Sequence, residues 1–191
     1  MPTDRFQTDR NPGWAASQRR LHWWTAALVL IGFSIGWLMV NLPLSQLLAK
    51  FLLYQVHKSI GILVFALVCV RLLLRVRRER PDPDPSLPAW QRRAADGMHA
   101  LLYLLLLLIP VLGYLTAATA PANVPTLFLG VIAVPHLLSP DREWFAILRQ
   151  IHRGFAVALV LLACGHAAAA IHNHRLGRAT LARMWRGHAA P

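Results

Sequence analysis

The amino-acid sequence predicts an all-α integral membrane protein, a four-helix bundle with both termini in the cytoplasm. The chain has 191 residues, of which 56% are hydrophobic and 15% charged, and its mean hydropathy is +0.44. That composition is too apolar for an ordinary soluble domain. Four stretches are each long enough to cross about 30 Å of hydrocarbon as a helix, at about 21–40, 52–74, 98–119 and 149–172. We therefore expect a single membrane domain over residues 1–191.

The distribution of positive charge predicts the orientation of the spans. Of the 20 Lys and Arg residues, 15 lie on the side that holds both termini and the connection between spans two and three. The other side carries five, which are Lys50, Lys58, Arg142, Arg149 and Arg153. The positive-inside rule then places both termini in the cytoplasm. The net charge of +12 does not indicate a nucleic-acid partner, because it lies next to the spans and no separate soluble domain presents it.

The segments outside the spans divide into a tail, a linker and an outer loop. The first twenty residues are polar and do not resemble a signal peptide, so we expect the first span to remain in the mature protein. The charged, proline-rich stretch at about 76–95 is expected to be a solvated cytoplasmic linker. The stretch at about 120–148 is too short and too interrupted by proline to span, and we expect an interfacial segment along the outer face.

Four of the nine histidines fall in the spans at matching depths. His22 and His166 lie near the cytoplasmic side, while His57 and His152 lie near the outer side. The last span holds His152 and His166 14 residues apart, which is about 21 Å along a helix and about 40° short of four full turns. Ionisable side chains inside a membrane usually face the bundle interior and have a function. The fourth span can therefore offer one imidazole to each of two sites stacked across the membrane.

Imidazole alone does not identify the metal that such sites would bind, because zinc, copper and iron all accept it. Two histidines at each level leave a tetrahedral zinc site short of ligands. A planar macrocycle that supplies four nitrogens needs only two axial ligands, so two bis-histidine haems fit the count. The sequence has no Cys-x-x-Cys-His motif, and the haems would be non-covalent and b-type.

Small residues in the spans are compatible with this interpretation. They would either leave room for a flat cofactor or simply allow the helices to pack closely. They are Gly32, Gly36, Gly61, Gly113, Gly154 and Gly165.

These patterns resemble the bacterial cytochrome b561 family, four-helix membrane cytochromes with two haems b. The similarity rests on LHWW in the first span, VHKSIGILVFALVCVRLLLR in the second, HALLYLLLLLIPVLGY in the third, and the His152 to His166 spacing followed by AAAAIHNH and LARM. The resemblance implies that His57 and His152 hold the outer haem and that His22 and His166 hold the inner one. The family commonly has two adjacent histidines a few residues after the last ligand, and Asn173 takes the first of these places in this chain.

Three further residues are candidates for cofactor binding. His99, at the inner end of the third span, would either hydrogen-bond a haem propionate or a quinone, or lie at the membrane interface. Arg71 would either pair with a propionate or extend its side chain from the cytoplasmic end of its helix. Lys58 belongs to a basic rim on the outer side, whose other members are Lys50, Arg149 and Arg153.

Two haems at opposite depths, each with both axial positions filled, predict electron transfer across the bilayer rather than oxygen binding. The resemblance implies a membrane quinone as one partner, and ubiquinone in the branch of the family that oxidises superoxide. The basic rim would attract a small anion such as superoxide, or a periplasmic redox partner. It would alternatively neutralise propionates or contact lipid phosphates.

Two other functions remain open at this stage. A haem b anchor subunit would deliver electrons from a peripheral hydrogenase or dehydrogenase to quinone, although the short loops offer little docking surface for such a partner. A metal transporter that uses histidines would need ligands along a pathway, whereas the histidines of this sequence gather at two levels with an apolar gap between them.

Overall fold

The computed structural model describes residues 14–77, 87–178 and 180–185. Most of the N-terminal tail, the middle of the expected linker and the end of the chain lie outside the described residues. The basic residues counted above that fall there, together with one histidine of the tail, are Arg5, Arg10, Arg78, Arg80, Arg186 and His188.

Four long helices make up most of the structure, and each extends beyond the apolar stretch that predicted it. They are α1 (Ala16–Asn41), α2 (Leu47–Arg77), α3 (Ala89–Thr119) and α4 (Arg142–Arg175). All four are long and apolar enough to cross a membrane. A backbone in hydrocarbon must satisfy its own hydrogen bonds, which a continuous helix does. The prediction of an all-α membrane bundle is confirmed, whereas the side on which the termini lie stays a prediction.

The ends of α4 follow from local chemistry. Asp141 caps its N-terminus, because the carboxylate accepts hydrogen bonds from the backbone N–H groups of Glu143 and Trp144 at 2.9 and 3.0 Å. At the other end Gly177 has a φ of 75°, a left-handed conformation that glycine adopts without steric cost. The chain can therefore turn back into the short helix α5 (Thr180–Trp185), which contacts α4.

The outer loop contains a small β-hairpin that the sequence analysis did not predict. Strand β1 (Thr126–Phe128) pairs antiparallel with strand β2 (Ile132–Val134). Leu129 and Gly130 take positive φ values of 53° and 77° in the turn between them. Strands of three residues are too short to show the alternating pattern by which a strand is recognised in a sequence.

Gln55 of α2 fixes this hairpin to the bundle. Its amide group donates to the carbonyl oxygen of Pro125 at 2.9 Å, and its side-chain oxygen accepts from the backbone N–H of Leu127 at 2.9 Å. Ser59, one turn further along α2, accepts from the backbone N–H of Leu129 at 3.0 Å. Both polar side chains are buried and have partners, so the loop is held against α2 by specific bonds.

The helices pack in sequence order, α1 on α2, α2 on α3 and α3 on α4, while α1 and α4 touch only lightly. The buried hydrophobic cluster lies at mid-height in the bundle. Its members are Val64, Val68, Leu105, Leu106 and Leu159. Leu159 is seven residues from both His152 and His166, so this apolar layer separates the two histidine levels.

Candidate functional site

The two histidine pairs lie at opposite ends of the bundle, each with its imidazoles face to edge. At the outer level the ring centroids of His57 and His152 are 6.1 Å apart, with the planes at 86°. At the inner level the centroids of His22 and His166 are 6.3 Å apart, with the planes at 69°. The structure thus brings together the residues that the sequence placed at the same depth. Their role as iron ligands stays a prediction.

Backbone carbonyls orient both outer histidines. The Nδ1 atom of His57 is 2.9 Å from the carbonyl oxygen of Gly32 on α1, and that of His152 is 3.0 Å from the carbonyl oxygen of Ile109 on α3. A carbonyl can only accept, so each Nδ1 carries the hydrogen and donates it. The neutral rings then have a free lone pair on Nε2, which is the form that binds a metal.

Glycines of the neighbouring helices allow the outer rings to lie where they do. A Cβ atom on Gly36 would come within 3.0 Å of Cε1 of His57, and one on Gly113 would come equally close to Cε1 of His152. Both distances are shorter than ordinary van der Waals contact. These two glycines therefore make room for the histidine rings themselves, while Gly61, Gly154 and Gly165 border open space.

The inner level has a different composition. The Nη2 atom of Arg71 lies 3.2 Å from Nδ1 of His22, and the Arg71 guanidinium lies 5.2 Å from the centre of the Tyr103 ring. His99 is also present, with its ring centroid 5.1 Å from that of His166. Three imidazoles and one guanidinium therefore meet at this level, where the outer level has two imidazoles.

The 14-residue interval that predicted the common face of His152 and His166 on α4 recurs on the other three long helices. His22 and Gly36 on α1 are 14 residues apart, as are His99 and Gly113 on α3. The same interval separates His57 from Arg71 on α2 and His152 from His166 on α4. The two halves of the bundle therefore place corresponding residues at corresponding heights, and Arg71 stands on α2 where α4 has His166.

The donor set fits haem better than a bare metal ion. Within the described ranges no group of three or more His, Cys, Asp or Glu side chains is arranged to hold a metal ion. An iron atom held between two imidazoles would separate their centroids by about 6 Å, because a metal–imidazole bond is about 2 Å long. Both observed separations match this value. The open space beside three glycines also leaves room for a flat group.

The basic rim of the outer side is partly engaged in structural bonds. The Nζ atom of Lys58 donates to the carbonyl oxygens of Val124 and Pro125, both at 3.3 Å, and that of Lys50 donates to Leu42 at 2.8 Å. Lys58 therefore points to the loop before β1, although its charge remains on the outer side. This loop contact was not predicted.

Asn173 makes hydrogen bonds that hold the inner end of α4 in place. It is buried, its side-chain oxygen accepts from Gln91 of α3 at 3.0 Å, and its backbone oxygen accepts from the N–H of Arg178 at 3.1 Å. Arg178 also donates to the side chains of Asn173 and Gln91. His172 and His174, on either side, are exposed. The residue in this place thus links α3 to the end of α4.

Comparison with known proteins finds one matching family model and several relatives that are cytochromes. The family model for prokaryotic cytochrome b561 matches residues 13–187. Cytochrome b561 homolog 1 of Escherichia coli is 33% identical over 169 residues, which cover 88% of this chain and 94% of the relative. Cytochrome b561 homolog 2 of the same organism is 34% identical over 166 residues, covering 85% and 86%. Cytochrome b562 of Cereibacter sphaeroides is 29% identical over 181 residues, covering 93% and 98%.

The family match covers all four long helices and both histidine levels. It agrees with the resemblance seen in the sequence motifs and with a multi-pass location in the membrane. The chain therefore belongs to the prokaryotic cytochrome b561 family, membrane proteins that bind haem b and transfer electrons.

Proposed function

We propose that the protein is a di-haem b cytochrome that transfers electrons across the bilayer, between a redox partner on the outer side and a membrane quinone. The observation that carries this proposal is the pair of imidazole separations, 6.1 and 6.3 Å, on either side of an apolar layer. His57 and His152 would hold the outer haem, and His22 and His166 the inner one. Both termini would lie in the cytoplasm, as the distribution of Lys and Arg predicts.

The side chains at the two levels have separate tasks in this proposal. Haem would supply a one-electron couple when it is bound, and the two histidines at each level would hold it and disfavour oxygen binding. Arg71 has no carboxylate among its contacts in the described part of the chain, so its charge is available to the carboxylates of a haem. His99, next to His166, would hydrogen-bond a propionate or the head group of a quinone.

Superoxide is the electron donor that we propose for the outer side. Lys50, Lys58, Arg149 and Arg153 keep positive charge near the outer pair, and a positive rim raises the local concentration of a small anion. Each superoxide anion would give one electron and leave as dioxygen. Two such electrons, with two protons, would convert a quinone such as ubiquinone to its quinol.

Two measurements test these proposals. A reduced-minus-oxidised spectrum with pyridine-haemochrome quantification should give two haems b per chain, and a value of zero would contradict the di-haem proposal. The haem-loaded protein with ubiquinone should speed the loss of superoxide, and the His57→Ala variant should not. Equal rates for the two proteins would exclude superoxide as the donor. A soluble iron–sulfur subunit that co-purifies with the chain would instead indicate the anchor function.

A further inference from the structure

The inner histidine pair differs from the outer pair in the group that faces the second ring nitrogen. The Nδ1 atoms of His57 and His152 face backbone carbonyl oxygens. The Nδ1 atom of His22 faces the guanidinium of Arg71 at 3.2 Å. A carbonyl oxygen can only accept a hydrogen bond, and a guanidinium can only donate one. The outer level therefore places the proton of both its histidines on Nδ1, whereas the bond from Arg71 requires a lone pair on Nδ1 of His22.

The proton position decides whether a histidine can bind iron through Nε2. The bond from Arg71 requires a lone pair on Nδ1 of His22, so the neutral ring carries its proton on Nε2. A protonated nitrogen cannot ligate, because the metal needs its lone pair. The outer histidines have the proton on Nδ1 and present a free Nε2. The outer site is thus ready to bind iron, whereas the inner site becomes ready only when Arg71 leaves His22.

Haem itself offers Arg71 a better partner. The contacts of Arg71 within residues 14–77, 87–178 and 180–185 are with His22 and the ring of Tyr103, and neither carries a full negative charge. Arginine forms its strongest hydrogen bonds with carboxylates, often two at once. Haem b has two carboxylates. A haem that enters the inner level can therefore draw the guanidinium away from His22.

We infer that Arg71 is a positioning residue that makes the inner site bind haem with free carboxylates more tightly than haem without them. This inference rests on the proposed function, since it takes His22 as an inner ligand. A haem carboxylate would give Arg71 a stronger partner than His22, and His22, with its proton on Nδ1 instead of Nε2, would then present a free lone pair on Nε2, with no net gain or loss of protons. Haem without carboxylates would offer Arg71 no such partner, so the bond to His22 would have to break without a replacement.

The test compares haem b with its dimethyl ester, in which both carboxylates are blocked, on full-length protein prepared without haem. His57→Ala protein reports on the inner site alone, and His166→Ala protein reports on the outer site alone. Absorption and electron paramagnetic resonance spectra of low-spin bis-histidine iron measure occupancy. We expect the inner site to bind the ester about tenfold or more weakly than haem b, because it lacks the partner for Arg71. The outer site should bind both alike.

Substitution of Arg71 in the His57→Ala background shows whether Arg71 causes the preference for haem b over the ester. Arg71→Leu, or Arg71→Met if the leucine variant does not fold, removes the donor to His22, and the inner site should then bind the ester as tightly as haem b. Arg75→Leu is the matched control, because Arg75 lies over the same Tyr103 ring at 5.6 Å without contacting His22. It should keep the preference for haem b.

Three outcomes have different meanings. Equal binding of haem b and the ester at the inner site with Arg71 present would overturn the inference. A preference that survives in both Arg71 variants would overturn it as well. Failure of the unsubstituted protein to bind haem b at either level would contradict the proposed function instead, since both sites would then be absent.

Discussion

The outer and inner histidine pairs have nearly the same separation but different supports. Backbone groups of neighbouring helices hold the outer pair, through the carbonyl oxygens of Gly32 and Ile109. A side chain, Arg71, contacts His22 of the inner pair. A backbone carbonyl in a packed helix cannot move far, while an arginine side chain has several rotatable bonds. Fixed groups therefore hold the outer pair in place, whereas the surroundings of the inner pair can adjust.

The equal 14-residue intervals allow the two levels to be compared position by position on all four helices. Each helix carries one of these positions at the outer level and one at the inner level, so the two levels differ by substitution rather than by architecture. On α4 both positions are histidine, whereas on α2 the inner position is Arg71. The two levels differ at three of these four positions, and Arg71 is the difference that gives the inner level a movable cation.

The largest effect is expected from removing single ligands. His57→Ala should reduce the haem content from two to one per chain and leave the inner haem bound, and His166→Ala should do the reverse, because the levels are about 21 Å apart. Pyridine-haemochrome assays and low-spin iron spectra measure both. His174→Ala is the control, since His174 is exposed beyond the inner level, and it should keep both haems. Loss of both haems from either ligand variant would show that the levels are not independent.

The second-largest effect is expected from filling the space beside the outer histidine rings, because glycines make that space at the outer level only. Gly36→Ala and Gly113→Ala place a Cβ atom 3.0 Å from the rings of His57 and His152, respectively. Such overpacking costs about 1–3 kcal/mol, and it should weaken haem binding at the outer level alone. Haem titration of each variant measures the change. Gly97→Ala also has open space at its Cβ position, lies away from the outer level and serves as the matched control. Equal weakening by Gly97→Ala would contradict the supporting role of the two glycines.

A moderate loss of stability is expected when the hydrogen bonds between Gln55 and the outer loop are removed. Gln55→Ala leaves the backbone groups of Pro125 and Leu127 without their partner, at a cost of about 1–3 kcal/mol. Thermal unfolding and hydrogen exchange of the hairpin amides measure this loss. Gln46→Ala, on an exposed position of the 3-10 helix Leu44–Gln46, is the matched control. Hairpin amides that stay protected from exchange in the Gln55 variant would show that the Gln55 hydrogen bonds are not needed to hold the hairpin.

The smallest effect is a pH dependence that belongs to the outer side. Burial, and then the positive charge of Lys58, lower the pKa of His136 below its ordinary value of 6.5. Its ring bonds to Thr126 at 3.0 Å and lies near Tyr114. The unfolded chain takes up the proton first, so the stability that neutral His136 contributes is present above pH 6.5 and decreases as the pH falls through that value.

The thermal midpoint of wild-type protein, followed from about pH 8 to about pH 5, should therefore decrease more than that of His136→Gln. The glutamine side chain keeps the capacity to bond Thr126 and does not titrate. Identical pH profiles for the two proteins would show that His136 keeps its ordinary pKa in the folded loop.

The fold and the histidine pairs could be predicted because their signals are local in the sequence. An apolar run long enough to span the bilayer predicts a helix, and an interval of 14 residues fixes the relative face and height of two side chains on it. The carbonyl partners of His57 and His152 could not be predicted in this way. These contacts depend on the rotation of α1 relative to α2 and of α3 relative to α4, which no single segment of the sequence determines.

Other contacts escaped the sequence analysis for related reasons. The hairpin has strands of three residues, and its anchor Gln55 comes 70 residues before Pro125. The charge pattern puts Lys58 on a basic rim, and such a pattern does not show the hydrogen bonds that Lys58 makes to backbone carbonyls. The contact between Arg71 and His22 spans 49 residues and two helices, although the interval common to all four helices would have pointed to Arg71.

The apolar layer of Val64, Val68, Leu105, Leu106 and Leu159 has an energetic consequence. It holds no titratable side chain, so under the proposed function an electron would pass between the two levels without a proton beside it. Such a transfer would move net charge through most of the membrane thickness. Moving one charge fully across costs or releases about 2.3 kcal/mol per 100 mV. In a cell whose interior is negative, an electron delivered inward works against the membrane potential, so the potential itself would slow the reaction as the membrane becomes energised.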